Sequence, residues 1–489
     1  MRQLLLNLYS SPLDLIKATK DTQRYVMDTL RIANLDKCGS VEEIVRLFDD
    51  VSDRMCTITD SAECIRRLHR DSRWRNAAED SFISISALMN ELNCDKNLIK
   101  KFNSMPAYVG NDYELAAVIK SFKLDFDLFG SCSEKEIVQI KQLQEQVQTA
   151  ETAYEQIQDT ESLEKMVRLR FELARALGFK NPAEIALRDK QLNTSESVLS
   201  FLKTAENELS KDTRFALCTR RFAYTNIGSV VRSLIQLSKD LFGIKAKIDS
   251  FHDLGGSLSF QFNIYDQQDV HFGSVLFDLG KRRMKDDHPT HYTIKCRKGT
   301  DQPAVILISI GIEDLERISW HQISSLFHEY GHALHSVLSE NKYQTLSGSR
   351  GPVDLAEIPS TLMEIIHENQ LDGLGKGEFK KVPGDKIRKE ETFQVQVATF
   401  DQLIHSLEPG AMNWTRDIAN SLNSSLSDNW FCTIPHLSTY GGTYFAYIYS
   451  KVMAETIWKR ITKEKSLTFE DFKKEFLCRG GTAHIDFIK

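Results

Sequence analysis

The stretch His328-Glu329-Tyr330-Gly331-His332 decides both the expected fold and the expected chemistry of this 489-residue chain. Two histidines four positions apart point the same way from a helix, because four residues make about one turn. Two imidazoles and a carboxylate bind Zn²⁺ and leave a fourth position for water, whose proton a neighbouring glutamate can accept. The pentapeptide therefore predicts a zinc site with His328 and His332 as ligands and Glu329 as the general base.

The flanking residues predict the helix that carries the pentapeptide. Ser319 and Gln322 are spaced as a capping box, so we expect a helix over about 320–339. Its apolar residues share one arc of the helical wheel, namely Ile323, Leu326, Phe327, Tyr330, Leu334, Val337 and Leu338. Its histidines share the opposite arc, where a cleft can reach them, namely His321, His328, His332 and His335.

The competing interpretation of this helix is a surface helix with a solvated histidine face. A bare H-E-x-x-H match arises by chance in roughly one chain in a hundred of this length. Because two ligands already fill the motif, we expect His321 and His335 to be exposed or to contact the outer side of the ligands.

A third ligand is expected from an acidic stretch downstream. Asp354, Glu357 and Glu364 are separated by three and seven positions, intervals that place side chains on one face of a helix. Pro359 predicts that this helix begins late or bends. Spacing alone does not choose among the three carboxylates, and an acidic solvated helix start is the alternative. We assign Glu357 to the zinc and expect Asp354 and Glu364 to accept the outer N–H groups of the ligand histidines.

A second stretch carries hydrogen-bond donors at helical spacing, namely His436, Tyr440, Tyr444, Tyr447 and Lys451. This spacing predicts one stripe along a helix. The stripe is either an aromatic core seam or a row of imidazole and phenol donors that face the zinc. Donors of that kind stabilise the oxyanion that forms when water attacks a peptide carbonyl.

The motifs together resemble those of the thimet oligopeptidase group of zinc peptidases. The resemblance is carried by Phe-His-Glu-Tyr-Gly-His-Ala-Leu-His at 327–335 and by Asp-x-x-Glu-x-Pro-Ser-x-x-x-Glu at 354–364, with looser matches along most of the chain. It implies one Zn²⁺ per chain, bound by His328, His332 and Glu357, with Glu329 as the general base. It also implies substrate or transition-state contacts from His436, Tyr440 and Tyr447.

The expected fold class is mainly α-helical, with a zincin-like catalytic domain and a small β-sheet before the H-E-x-x-H helix. Residues 1–240 are expected to be a helical region that forms one wall of the substrate channel. Residues 241–489 are expected to be the zinc catalytic region, with the sheet at 257–310, the motif helix and C-terminal helices. Alternation of apolar and polar residues over 257–264 is typical of a half-buried strand. An edge strand of such a sheet binds extended peptides by backbone pairing.

Composition is typical of a soluble intracellular enzyme. Hydrophobic residues make up 41% and charged residues 27% of the chain, which excludes a disordered protein. The net charge of −6 argues against a nucleic-acid partner. Nine scattered cysteines without a C-x-x-C pair indicate reduced thiols. The longest apolar stretch, 303–312, predicts a buried strand and no membrane span. We therefore expect a monomer whose partners are peptides, precursor proteins among them.

The resemblance implies a zinc-dependent metalloendopeptidase that cleaves short or unfolded peptides and trims N-terminal presequences of imported mitochondrial precursors in the matrix. The first residues are not a convincing presequence, because Asp14 and Asp21 intrude, so the cytoplasm is the alternative location. The chain also lacks family segments around 128–160, between 205 and 222, and after Glu364. The alternative function is therefore a truncated or inactive peptide-binding homologue that retains the metal motifs.

Overall fold

The computed structural model describes residues 8–488 except 32–34, 106–107, 109, 131, 212–218, 223, 254–257, 284, 287, 370–378, 383, 423–428 and 440. The first half is helical: α1 (Pro12–Thr29), α2 (Val41–Leu68), α3 (Ser72–Asn93), α4 (Lys96–Asn103), α5 (Tyr113–Asp127), α6 (Glu134–Ile157), α7 (Thr160–Ala176), α8 (Pro182–Ala186) and α9 (Ser195–Lys211). A short strand, β1 (Thr219–Phe222), and α10 (Ile227–Phe242) lead into the sheet.

The sheet comprises β2 (Lys245–Asp253), β3 (Leu258–Tyr265), β4 (His271–Gly280), β5 (Thr290–Lys295) and β6 (Ala304–Ile312). Helices then follow: α11 (Trp320–Leu338), α12 (Val353–Asn369), α13 (Gly384–Ser406), α14 (Trp414–Leu422), α15 (His436–Thr439), α16 (Phe445–Lys459) and α17 (Phe469–Phe472). Strand β7 (Phe379–Val382) pairs with β1. Single turns of 3₁₀ helix occupy Gln344–Leu346, Gly348–Arg350, Trp430–Thr433 and Gly480–Thr482, and π-turns occupy Arg460–Glu464 and Lys473–Leu477. The predicted class, mainly helical with a small sheet before the motif helix, is confirmed.

The five strands are ordered β2-β3-β4-β6-β5, so β2 and β5 are the edges. The pair β4–β6 is parallel, whereas β2–β3, β3–β4 and β5–β6 are antiparallel. The sheet begins at Lys245, earlier than the predicted 257, because β2 forms an additional edge strand. Its lysines Lys245 and Lys247 reach Asp269 at 3.1 and 3.2 Å, and such charged residues are typical of a solvated edge.

Both faces of the sheet are covered by helices. On one face, Leu276, Tyr292, Ile294 and Leu307 pack into a core built by α1 to α6. On the other face, the sheet joins a core with α10, α11, α12 and α16. A third core joins the α6–α7 hairpin to α13, α14 and residues 430–437. The division into regions 1–240 and 241–489 stays a prediction; helices α9 and α10 share the core of the motif helix.

The motif helix begins and ends as predicted. Ser319 and Gln322 form the reciprocal capping box, and Ser339 is the C-cap. Every residue of the predicted apolar arc is at most 2% exposed. Within the described residues, no helix is long and apolar enough to cross a lipid bilayer.

The segment after the motif helix is anchored to α2 by a buried carboxylate. Asp49 is 3% exposed and accepts the backbone N–H groups of Gln344 and Thr345 at 3.0 and 3.1 Å. This contact joins the N-terminal helices to the end of α11, so it contributes to the placement of the site. Removal of the acceptor leaves two amide groups unpaired in the interior, which is unfavourable.

We expect Asp49→Ala to destabilise the fold by about 2 kcal/mol or more, because the two amides lose their acceptor. The measurement is the melting temperature. Glu42→Ala on the same helix is the control, since its ion pair with Arg46 is exposed and contributes little. Equal melting temperatures for the two variants would contradict this role of Asp49.

Candidate metal centre

Helix α11 is fixed to the sheet through Tyr330. The phenol oxygen of Tyr330 lies 2.6 Å from the Ser238 hydroxyl on α10, and its ring contacts Phe262 and Phe277 of the sheet. Tyr330 is fully buried. Because the helix is held on this side, its opposite side is presented to α12.

Helices α11 and α12 cross in close contact at Gly331. A Cβ atom added to Gly331 would lie 2.5 Å from Ser360 Cα and 2.6 Å from the Pro359 carbonyl oxygen. Those are backbone atoms, which cannot rotate away, so only glycine permits this approach. Pro359 predicted a helix that begins late or bends; the late start is wrong, because α12 begins at Val353 and Pro359 lies inside it.

The crossing brings the three predicted ligands together. Glu357 Oε2 lies 3.4 Å from His328 Nε2 and 3.3 Å from His332 Nε2. One donor atom from each residue lies within 4.8 Å of the other two, and this is the one such His/Cys/Asp/Glu group found among the described residues. Two imidazole nitrogens and one carboxylate oxygen form the donor set of catalytic zinc sites, so these residues fit the ion.

Neighbouring side chains orient two of the three ligands. Glu364 Oε1 contacts His328 Nδ1, as predicted, and leaves Nε2 directed at Glu357. The Ser360 hydroxyl donates to Glu357 Oε2 at 3.0 Å and so holds that carboxylate. The corresponding nitrogen of His332, Nδ1, is buried and makes no hydrogen bond within the described structure.

Asp354 does not form the contact predicted for it with a ligand histidine. Its Oδ2 atom accepts the Gln191 backbone N–H at 2.7 Å, and Oδ1 has no hydrogen-bond partner within the described residues. The carboxylate lies in the first turn of α12 and points to the segment after α8. Burial raises the pKa of Asp354 to about 6.

The two remaining histidines of α11 differ from each other. His321 is exposed, as expected. His335 is 2% exposed and packs against Phe476, so the prediction that it faces a cleft is wrong. The cause is the π-turn Lys473–Leu477, which covers this side of the helix. Burial, followed by the nearby His332, lowers the pKa of His335 to about 3.

The electrostatics of the trio formed by His328, His332 and Glu357 favour a bound cation. Burial alone would raise the pKa of Glu357, but His332 and His328 hold it well below its ordinary value. Burial alone would lower the pKa of His328, but Glu357 and Glu364 raise it well above its ordinary value. A protonated imidazole supplies positive charge beside these carboxylates. A divalent ion bound in the same place would supply that charge instead.

Glu329 has the properties of a general base. It is 8% exposed, and burial raises its pKa, an effect that His328 and His332 only partly oppose. A carboxylate with a raised pKa accepts a proton near neutral pH more readily than an ordinary one.

The donor stripe is not one continuous helix. His436 belongs to the short α15, and Tyr444 precedes α16, with Gly442 at φ +80° between them. The rings nevertheless gather: His436 lies 5.7 Å from Tyr444 and 5.8 Å from Tyr447, centroid to centroid. Tyr440 lies outside the described residues. Lys451 pairs with Glu391 at 2.5 Å.

Within the ring cluster of His436, Tyr444 and Tyr447, His436 is close enough to Glu357 to interact with its charge. Burial and the imidazole of His288 lower the pKa of His436, while the charge of Glu357 acts on it through space in the opposite direction. Burial, and then Asp401, raise the pKa of Tyr444 to about 12, so its phenol stays protonated and can donate.

A cleft of about 800 Å³ runs beside the edge strand β5. Its lining includes residues 290–293 of β5, Asp60, Glu63 and Arg67 of α2, the end of α6, Arg350 and Pro435. The metal ligands do not line it. It approaches them through His291, whose ring lies 5.7 Å from that of His332. Sequence reasoning missed His291, since one histidine in a strand carries no distinguishing spacing.

Comparison with known proteins gives a consistent result. The sequence model of peptidase family M3 matches residues 217–486. Mitochondrial intermediate peptidase of Schizophyllum commune is 24% identical over 623 aligned positions, which cover 90% of this chain and 80% of that protein. The protein of that name from Mus musculus is 22% identical, with 90% and 80% covered. Because the 623 aligned positions exceed the 489 residues of this chain, the alignment contains gaps in it.

Solved structures share the fold. Pyrococcus furiosus carboxypeptidase superposes with a TM-score of 0.61 at 12% identity, covering 92% of this chain and 95% of that one. An M32 carboxypeptidase from Deinococcus radiodurans gives a TM-score of 0.60 at 12% identity, with 91% and 94% covered. At these identities the likeness establishes the architecture alone.

We expect Gly331→Ala to destabilise the fold by about 1–3 kcal/mol, because the new methyl group overpacks the helix crossing. Ordinarily alanine stabilises a helix by about 1 kcal/mol relative to glycine. Zinc affinity should fall as well, since the helices must separate. Melting temperature and zinc titration measure the two effects. Gly39→Ala is the control, because its Cβ would meet only Glu43 at 3.7 Å; a stabilised Gly331→Ala protein would refute the crossing as described.

We expect Glu364→Gln to weaken zinc binding about 10–100-fold, because the amide no longer supplies a charged acceptor to His328 Nδ1. Competition with a chelator of known affinity measures the change. Glu368→Gln, an exposed position on the same helix, provides the comparison and should bind zinc as the parent does. If Glu364→Gln binds zinc as tightly as the parent, the contact between Glu364 and His328 does not contribute to metal binding.

Proposed function

Because the chain belongs to peptidase family M3, it is a metallopeptidase, and we propose that it is a zinc-dependent endopeptidase acting on short or unfolded peptides. One observation carries the proposal: both imidazoles lie within 3.4 Å of the Glu357 carboxylate, with the buried Glu329 adjacent in sequence to the first. The residues His328, His332 and Glu357 would hold the ion. Bound there, zinc supplies Lewis-acid polarisation of the scissile carbonyl and of the attacking water.

Glu329 moves the protons of the reaction. Its carboxylate takes a proton from the water as the oxygen attacks the carbonyl carbon, and then delivers that proton to the amine that leaves. The raised pKa of Glu329 suits both steps, because the group must accept and release a proton in one cycle. No second acid is required.

His436 and Tyr447 stabilise the negative charge that develops on the carbonyl oxygen. Tyr440 is part of the same proposal, although it lies outside the described residues. A phenol and a neutral imidazole can each donate a hydrogen bond to an oxyanion, and donors already in place need no reorganisation during the reaction. The contact between the rings of His436 and Tyr447 supports their joint action.

The substrate lies in the cleft beside β5. The outer backbone groups of an edge strand pair with an extended peptide, which orients the scissile bond without regard to sequence. On the other side, Asp60, Glu63 and Arg67 of α2 supply a wall, in support of a channel flanked by the N-terminal helices. A folded protein does not present an extended strand, so short or unfolded peptides are the substrates.

We further propose that the protein works as a monomer in the mitochondrial matrix, where it trims N-terminal presequences of imported precursors. The support is the similarity to mitochondrial intermediate peptidases over 90% of the chain. The competing possibility is an inactive peptide-binding homologue. Variants of the metal site distinguish it from an active peptidase.

We expect Glu329→Gln to keep one zinc per chain and the parent's melting temperature, while peptide hydrolysis falls at least about 100-fold, because the base is lost. His332→Ala should lose the zinc itself and melt at a lower temperature. His321→Gln, an exposed histidine of the same helix, should resemble the parent in all three measurements.

The measurements are metal analysis, thermal melting and cleavage of a peptide library followed by mass spectrometry. A zinc-loaded parent protein that cleaves nothing, with Glu329→Gln indistinguishable from it, would leave the inactive homologue as the correct description.

A further inference from the structure

Three largely buried polar side chains that the proposed mechanism does not use form a row of polar contacts. His405 Nε2 lies 2.8 Å from Arg170 Nη1. His405 Nδ1 donates to the Asp401 backbone carbonyl oxygen at 2.9 Å and also lies 3.0 Å from Asp401 Oδ1. His405 is fully buried and Asp401 is 1% exposed. Arginine only donates, so Nε2 of His405 is the acceptor and Nδ1 carries the proton that faces Asp401. The row thus has one defined direction of hydrogen bonding.

One end of the row holds the start of the donor stripe. Arg170 on α7 donates through Nη1 to the Leu437 carbonyl oxygen at 2.8 Å and through Nη2 to the Ser438 carbonyl oxygen. Its other partner, Glu151 on α6, lies 2.7 Å from Nη2 and neutralises the charge. The planar guanidinium can satisfy all these acceptors at once, which a lysine cannot do.

The other end of the row holds the entry to α16. Asp401 Oδ1 accepts the Gly442 N–H and Oδ2 accepts the Tyr444 N–H, both at 3.0 Å. Between these residues no regular helix satisfies the backbone groups, so side chains must do so. A single carboxylate therefore fixes the chain direction immediately before the helix that carries Tyr447.

Between its two ends the row lies directly beneath the backbone. A Cβ atom at Gly441 would be 2.9 Å from both Arg170 Cζ and His405 Nε2. The turn thus rests on the guanidinium and the imidazole without an intervening side chain.

The turn carries the rings assigned to oxyanion stabilisation. His436 lies one residue before the first carbonyl that Arg170 holds, and the ring of Tyr444 contacts that of Tyr447 at 5.3 Å. Small displacements of such donors are sufficient to impair catalysis, since a misplacement of about 1 Å can lower a rate about 100-fold.

We propose that Arg170, His405 and Asp401 are positioning residues that hold His436 and Tyr447 in place for the peptidase reaction. Among the described residues they contact none of the metal ligands, and they act on the reaction only through those two rings. This inference rests on the proposed function, since it assigns the row a role in that reaction. The competing explanation is a buried polar network needed only for folding.

Arg170→Lys and Asp401→Asn test the inference by turnover. In each variant we expect kcat to fall about 100-fold with KM changed less than about threefold, because the donors act on the transition state. The zinc content should stay at one per chain. Arg168→Lys is the matched control, as a half-buried arginine of the same helix whose exposed hydrogen bond goes to the Gly410 carbonyl. Equal kcat in all four proteins would overturn the proposal.

A double-mutant cycle separates positioning from folding. In a protein that already carries His436→Gln and Tyr447→Phe, Arg170→Lys should lower kcat less than about threefold, because the rings through which it acts are gone. A purely structural role predicts the same loss in both backgrounds, and that result would also overturn the proposal.

Amide hydrogen exchange gives a readout that does not need turnover. In Asp401→Asn, exchange over residues 436–447 should accelerate, whereas exchange over α11 should not change. Unchanged exchange at 436–447 would contradict the proposal that the row holds this segment in place. A parent protein without peptidase activity would instead contradict the proposed function, so the two failures are distinguishable.

Discussion

The contact between α11 and α12 at Gly331 is the constraint on which the rest of the site depends. The trio is formed by side chains from two helices, and those side chains converge only if the helix backbones touch. A residue with any side chain at 331 would place its Cβ 2.5 Å from Ser360 Cα. Tyr330 and the sheet fix a neighbouring side of α11, so the glycine is held in contact with its partner helix.

That convergence creates an electrostatic requirement. Three carboxylates, Glu329, Glu357 and Glu364, surround two imidazoles in a largely buried volume. Buried carboxylates are unfavourable unless a positive charge accompanies them. A proton on His328 satisfies the requirement in part, since Glu357 and Glu364 raise the pKa of His328 against the effect of burial, and the two imidazoles lower the pKa of Glu357. The same arrangement that binds a divalent ion therefore also determines how strongly protons compete with it.

Sequence reasoning succeeded where the signal was local and failed where it depended on tertiary contacts. The capping box at Ser319, the apolar arc of α11, the alternation in β3 and the apolar run of β6 are local signals. Together with the family resemblance, they were sufficient to predict the fold class correctly. The burial of His335 was missed because Phe476 comes from 141 positions later in the sequence. The partner of Asp354 is a backbone amide, which no side-chain motif can reveal. The row beneath the donor turn joins α7 to α13 and has no sequence period at all.

The position of β5 has a consequence for the association of the protein with itself. An open sheet edge ordinarily invites pairing with another copy of the same chain, and thereby aggregation. Here the edge strand contacts both α2 and α11 and lines the cleft. These two helices stand in the way of a second sheet, which brings covering helices of its own. Recessing the strand thus protects the chain from self-templated assembly.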